Sequence, residues 1–497
     1  MTNLQSLDFY WPELILTGVI VLAIILDLLL DKKDSGKVGW VLILGLITVA
    51  LAIYIQDGTK TTTLFMDSIV LDPFASFFKM LVILATIFVS VVSWQTGELA
   101  EYRKGEYFTL LGIIVLGLFL MVSAVDLVMV YLSIEMVSIM SFILAGYLKQ
   151  NTRSNEAGLK YVVYGAFSSG IMLFGISILY GLAGSTNYFE VQQAVVNLDE
   201  TANAALVMAL VMILAGFGYK ISAVPFHFWT PDVYEGAPIT ITAYLSVAPK
   251  AGALAMMIRF FNQVLADGGA MTGIEGVSMT NMPWPEILAL LAVITMSLGN
   301  LVAIQQNNLK RMLAYSSIAH AGYMLLALPV MSTQGVYAVM IYLVMYLFMN
   351  LGAFFVVIAV KNKTGGETFD DYRGLGWEMP LVGVVMTIFM VSLTGLPPTA
   401  GFIGKFYIFA ALVKGGPQFY YLVILAGINS VISLFYYLRV VKVMFLEGER
   451  SETIVQPPAV MVGMLLLTAI PTVLFGIYWS PIANWIQHSM TFFIQTI

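Results

Sequence analysis

Residues 380–414 read PLVGVVMTIFMVSLTGLPPTAGFIGKFYIFAALVK, thirty-five residues whose only charges are Lys405 and Lys414. A helix crosses a bilayer with about 20 apolar residues, so the run is too long for one straight span. Near its middle stand Gly395-Leu-Pro397-Pro398. Proline withdraws a backbone donor and clashes with the preceding turn. The run therefore predicts a broken membrane helix with a lysine held just beyond the break, where unsatisfied carbonyls and water are tolerated only inside protein.

The rest of the chain has the same character. It has 497 residues, is 60% hydrophobic and 10% charged, and its mean hydropathy is +0.90. Too few charges are present to cover a soluble surface of this size. Apolar runs predict spans near 12–30, 38–55, 73–94, 106–124, 126–148, 156–182, 203–229, 238–263, 285–305, 311–330, 335–360, 380–414, 419–446 and 459–478. The expected fold is all-α and polytopic, with about fourteen spans, of which the seventh and twelfth are broken. The first run has no basic stretch before it and no Ala-x-Ala site, so it reads as a retained span.

Fifteen Lys and Arg residues, among them Lys32, Arg103, Lys149, Lys310, Lys361 and Arg439, fall in one set of loops. The other set holds Lys60, Arg259 and Lys414. The richer set is expected to face the cytoplasm, and an even number of spans then puts both termini on the opposite side. The absence of cysteine excludes thiolate-held clusters and disulfides. His227, His320 and His488 have no helical metal spacing, and neither a P-loop nor a GxGxxG is present. No cofactor on this chain and no nucleic-acid partner is expected; the surroundings are the lipid bilayer, protons and water.

Ala215-Gly216-Phe217-Gly218-Tyr219-Lys220 and Ala400-Gly401-Phe402-Ile403-Gly404-Lys405 stand 185 residues apart, and the same offset carries Glu135 onto His320. This spacing predicts two five-span units, 106–263 and 285–446, between a three-helix segment (1–105) and a C-terminal helix (447–497). Five is odd, so the second unit enters from the opposite side as an inverted repeat. Lys250 maps onto Phe435, so the second unit lacks that lysine.

A charge at the bilayer centre costs about 2.5–3.5 kcal/mol on insertion scales. Glu135, Lys220, Lys250, His320 and Lys405 are therefore the candidate site. Glu135 and Lys220 can pair, and separating them would release a proton that Lys250, His320 and Lys405 then carry laterally. Each residue also has a plainer reading: a structural ion pair for Glu135–Lys220, snorkelling or capping of broken-helix carbonyls for Lys250 and Lys405, and a hydrogen-bonded core histidine for His320. His227, beside Pro225, reads as a helix-end cap or a gate. Lys160 reads as an i, i+4 surface partner of Glu156, and Lys79 as a snorkelling lysine.

The run Lys220-Ile-Ser-Ala-Val-Pro225-Phe-His227-Phe-Trp229-Thr-Pro231-Asp-Val-Tyr-Glu235-Gly-Ala-Pro238 resembles the signature of antiporter-like membrane subunits of respiratory complex I, in its subunit N form. Gly395-Leu-Pro-Pro-Thr-Ala-Gly-Phe-Ile-Gly-Lys405 resembles the same family, and the likeness spans the chain. The chain stops after the fourteenth span, where subunit L is expected to continue into a lateral helix. The resemblance implies a proton-pumping subunit of NADH:quinone oxidoreductase, with Glu135, Lys220, Lys250 and Lys405 as proton-transfer residues. It also implies redox chemistry on other subunits of the respiratory chain, and a place between small quinone-proximal subunits and another antiporter-like subunit in a bacterial cell inner membrane. The alternatives are an independent cation/proton antiporter of the Mrp-like class and a non-pumping scaffold.

Overall fold

Long aliphatic runs have no water to bond their peptide groups in a membrane, so they fold as helices. In the computed structural model, which describes residues 2–57, 61–198, 202–265, 283–448 and 453–490, they do so in succession. The first are α1 (Asn3–Leu7), α2 (Trp11–Leu29), α3 (Val38–Gln56), α4 (Pro73–Ser93), α5 (Lys104–Ser123), α6 (Leu127–Ala145) and α7 (Thr152–Ala183). Next come α8 (Tyr188–Val196), α9 (Asn203–Ile221), α10 (Trp229–Gly236), α11 (Ile239–Phe260), α12 (Trp284–Ala303), α13 (Leu309–Leu325) and α14 (Thr333–Thr364). The last are α15 (Leu375–Glu378), α16 (Pro380–Thr394), α17 (Ala400–Lys414), α18 (Tyr420–Leu446), α19 (Ala459–Ile477) and α20 (Ser480–Ser489).

Twelve of the described helical segments are long and apolar enough to cross a membrane. The other two expected spans are also helical but short: α13 has 17 residues, and the twelfth span is divided into α16 and α17 of 15 each. The seventh span breaks between α9 and α10, where Ser222 turns left-handed and Ala223 N–H closes on Gly218 O at 2.7 Å. Every residue of α11 is buried, as is nearly all of α14, so these two form the centre of the bundle. Lys60 and Arg450, counted in the loop bias, lie outside the described residues.

One departure from an all-helical chain is a small antiparallel hairpin, β1 (Thr62–Leu64) and β2 (Ile69–Leu71). It stitches the N-terminal end of α6 to its neighbours. Val125 N–H donates to Ser68 O at 3.1 Å, and Leu127 N–H and Tyr188 N–H bond Thr186 O and Val125 O at 2.8 and 3.0 Å. Asp126 caps α6 through Val128 N–H and Met129 N–H, satisfying donors that a helix start leaves open. At the other end Ser154 Oγ donates to Ala145 O at 2.8 Å.

Candidate functional site

The seventh-span lysine, Lys220, sits in the last turn of α9 and is 2% exposed. Its Nζ lies 3.0 Å from Ser138 Oγ on α6. Ser138 stands one turn beyond Glu135 on the same helix face. The expected Glu135–Lys220 ion pair is not formed: the serine hydroxyl takes the ammonium, and Glu135 Oε1 is buried without a hydrogen-bond partner.

Lys250 lies at the centre of α11, next to Pro249, and is 1% exposed. Its Nζ donates to Ser317 Oγ at 2.7 Å and Ser317 O at 3.1 Å on α13, with the Tyr234 ring centroid 6.0 Å away. At Ser316, next to Ser317 in sequence, a separate hydrogen-bonded file begins. Ser316 Oγ and Tyr437 OH are 2.5 Å apart, Tyr437 OH and His320 Nε2 3.1 Å, and His320 Nδ1 and Tyr342 OH 2.7 Å. Hydroxyls both donate and accept, so either direction of bonding is open along it. His320 is thus at once a fully bonded core histidine and a link in a polar chain. Phe435 turns outward, and the residue of α18 that reaches the file is Tyr437, two positions on.

Lys405 follows from the helix break. Termination of α16 leaves carbonyls without an intrahelical partner, and Lys405 Nζ bonds Thr394 O at 2.7 Å and Ser430 Oγ at 2.9 Å. Gly395 is left-handed (φ 88°), and a Cβ there would come within 2.7 Å of Lys405 Cδ, so glycine both turns the chain and makes room for the lysine. Lys405 Nζ stands 4.4 Å from the Tyr323 ring centroid, which is 6.0 Å from that of His320. Among the described residues no hydrogen bond joins Lys220 to Lys250. His227 lies in the link between α9 and α10, buried, with Nδ1 unpartnered, the Pro225 backbone as a hydrogen-bond partner, and no bond to the file.

Two ionic clusters gather where α10 meets α11. Lys160 pairs with Glu156 as expected, at 2.7 Å, and also with Asp232 at 2.6 Å; Arg311 pairs with Asp232 and Glu235 at 2.6 and 2.9 Å. Burial pushes the Asp232 carboxyl up, but Lys160 and Arg311 outweigh it and hold the group below the usual carboxylate range. Lys310 donates to Ala237 O at 2.9 Å and to Glu367 at 3.3 Å. Lys361 bridges Glu367 and Glu98, and Glu98 Oε2 accepts from Ile239 N–H at 2.8 Å. Burial raises the Glu367 carboxyl, and Lys310 and Lys361 more than reverse this.

Two buried pairs correct the reading of Lys79 as a snorkelling lysine and of Arg259 as a loop charge. Lys79 does not snorkel: it is 5% exposed and bonds Glu13 at 2.6 Å. Arg259 is wholly buried and holds Asp72 by two bonds, 2.7 and 3.1 Å. The residues that sequence reasoning missed are the hydroxyls between the charges: Ser138, Ser316, Ser317, Ser430, Tyr342 and Tyr437. A legible signal existed in Ser316-Ser317, one turn ahead of His320.

Residues 124–433 match the family described as NADH:quinone oxidoreductase/Mrp antiporter, TM. The chain is 44% identical over 484 residues to NADH-quinone oxidoreductase subunit N 2 of Chloroherpeton thalassium, covering 96% of this chain and 93% of that one. Among solved structures, respiratory complex I from Thermus thermophilus contains a chain 28% identical with a TM-score of 0.78, covering 95% of this chain and 98% of that one. The Mrp complex from Dietzia sp. contains one that is 18% identical with a TM-score of 0.82, covering 100% and 98%, a likeness of fold alone.

Proposed function

The chain belongs to the NADH:quinone oxidoreductase/Mrp antiporter family of membrane subunits, and from that premise we propose how it moves protons. It is a proton-translocating membrane subunit of the NADH:quinone oxidoreductase type. Protons load near Glu135 and Lys220, pass to Lys250, run through Ser317, Ser316, Tyr437 and His320, and leave by way of Lys405. The observation that carries this reading is a pair of polar contacts on consecutive residues of α13: Lys250 Nζ on Ser317, and Ser316 Oγ through Tyr437 OH to His320. The interval from Lys220 to Lys250 is crossed through water, and the last step to Lys405 passes the Tyr323 ring.

Ser138 gives the Glu135 switch a resting state: with the ammonium bonded to a hydroxyl, the carboxylate is free to approach or withdraw. Against about 2.3 kcal/mol per charge per 100 mV of membrane potential, a change of one such partner is of adequate size for a single step. The broken span of each five-helix unit carries one lysine, which supports the inverted-repeat reading of 106–263 and 285–446. Electron transfer belongs to other subunits of the assembly, and small membrane subunits and a further antiporter-like subunit flank this one. The excess of Lys and Arg in one set of loops supports a cytoplasmic side for that face, with both termini opposite, in a bacterial inner membrane.

An independent Mrp-like antiporter is the weaker reading, since that likeness extends to the fold only. The deciding experiment is Lys250→Gln in the assembled complex in vesicles, with quinone reduction and acidification measured together. Loss of coupled acidification is expected; wild-type values of both would remove the proposal.

A further inference from the structure

A cavity of about 900 Å³ lies away from the lysine file. It is a half-open groove between the outer face of α18 and the Phe369–Tyr372 turn. The same helix turns Tyr437 and Ser430 inward to His320 and Lys405. Outward it presents Val431 and Phe435, 70% and 62% exposed, and one turn further on Arg439 and Lys442.

Charge at the polar end is unbalanced. Arg373, Arg439 and Lys442 line it with Asp370 and Glu447. Arg373 pairs with Asp370 at 3.0 Å and Glu447 at 3.8 Å, and Lys442 with Glu447 at 2.8 Å. Arg439 forms no ion pair within 4 Å among the described residues: it bonds Ile304 O, Gln306 O and Asn307 Oδ1 at 3.1–3.4 Å and has the Phe369 ring 4.2 Å below its guanidinium, while Glu447, which it attracts at longer range, is held by Lys442 and Arg373. The guanidinium is held in place by neutral groups, its charge offset only in part by a Glu447 shared with two other cations, at the end of an apolar strip that runs into the membrane.

We propose that this groove binds an anionic phospholipid, with the phosphate on Arg439 and Lys442 and the acyl chains along Val431 and Phe435. A basic pocket at the cytoplasmic end of transmembrane helices is suited to such headgroups. A free phosphate has no use for the apolar wall, whereas a phospholipid meets both the basic end and the apolar strip. The lipid would brace the helix that supplies both Tyr437 and Ser430.

The test is Phe435→Trp in the whole complex, in vesicles of phosphatidylcholine mixed with phosphatidylglycerol, with bromine on the acyl chains of one lipid at a time. Quenching is read as the difference from the complex without the new tryptophan. Brominated phosphatidylglycerol is expected to quench with about fivefold higher apparent affinity than brominated phosphatidylcholine, the worth of one basic residue. Adding Arg439→Gln and Lys442→Gln should abolish that preference, while Lys442→Arg retains it; the reporter alone decides if the double variant fails to assemble. Equal quenching by the two lipids, no quenching by either because a neighbouring subunit covers the groove, or relief by inorganic phosphate would each overturn the proposal.

Discussion

Lys250 Nζ lies 2.7 Å from the hydroxyl of Ser317 on a different helix, with both groups shut off from solvent. A serine hydroxyl can take the ammonium's hydrogen bond and still offer its own proton onward. The contact therefore joins a cation to a neutral relay without burying a second charge. Ser317→Ala leaves the lysine one strong partner short, costing about 1.5–3 kcal/mol. Coupled acidification in vesicles is expected to slow by about tenfold or more on that scale, with Ser317→Thr retaining most of it. Undiminished acidification in the alanine variant would remove Ser317 from the route.

Tyr437 OH touches both Ser316 and His320. Tyr437→Phe should cut the file while preserving packing. If both residues serve one path, Tyr437→Phe and His320→Ala together lose little more than either alone. Additive losses in acidification would show two separate routes.

Gly395 is the point where backbone and site meet. Gly395→Ala forces a side chain into a left-handed position, at about 1–2 kcal/mol, and crowds Lys405. Gly395→Asn tolerates the turn but crowds the lysine equally. Thermal unfolding should therefore recover toward wild type in the asparagine variant, whereas acidification should not.

The Glu367 carboxyl is held below its usual range in the folded chain by Lys310 and Lys361, against the upward push of burial. A depressed carboxylate contributes stability above its unfolded value and loses it as pH falls through the folded one. Melting temperature should be flat near neutrality and drop on acidification below the usual glutamate range. In Glu367→Gln this component of the drop should vanish, from a lower starting point, as followed by thermal unfolding in detergent across that range.

Arg259 and Asp72 are both fully buried. Removing one partner of such a pair costs about 3–5 kcal/mol, so Asp72→Leu should lower assembly and melting temperature sharply. Adding Arg259→Leu should recover much of that loss. Any complex that assembles should pump with unchanged stoichiometry, since neither residue touches the file.

Span positions and the break at Gly395-Leu-Pro397-Pro398 were legible because length and proline chemistry act locally. So were Lys220, Lys250 and Lys405, whose cost in a bilayer singles them out whatever they touch. The partners were not legible. Ser138, Ser317 and Tyr437 are ordinary in apolar helices and acquire a role only when another helix brings a charge to them. Lys79 illustrates the converse: its position near a span end suggested snorkelling, and only the packing of α2 and α4 about α5 brings Glu13 to it. The small hairpin escaped notice because three-residue strands leave little periodicity to read.

The hairpin's stitching of α6 bears on tempo. With one end of that helix bonded to the hairpin turn at Ser68 and to the turn before α8, and the other tied to the Ser154 hydroxyl, sliding the whole helix would break several hydrogen bonds together. Glu135 is left to move by side-chain rotation, which takes about picoseconds to nanoseconds, rather than by a helix shift on the microsecond-to-millisecond scale. On the proposed route, handover at Lys220 would run on the faster clock, and turnover would be paced by whatever slower rearrangement reaches the subunit.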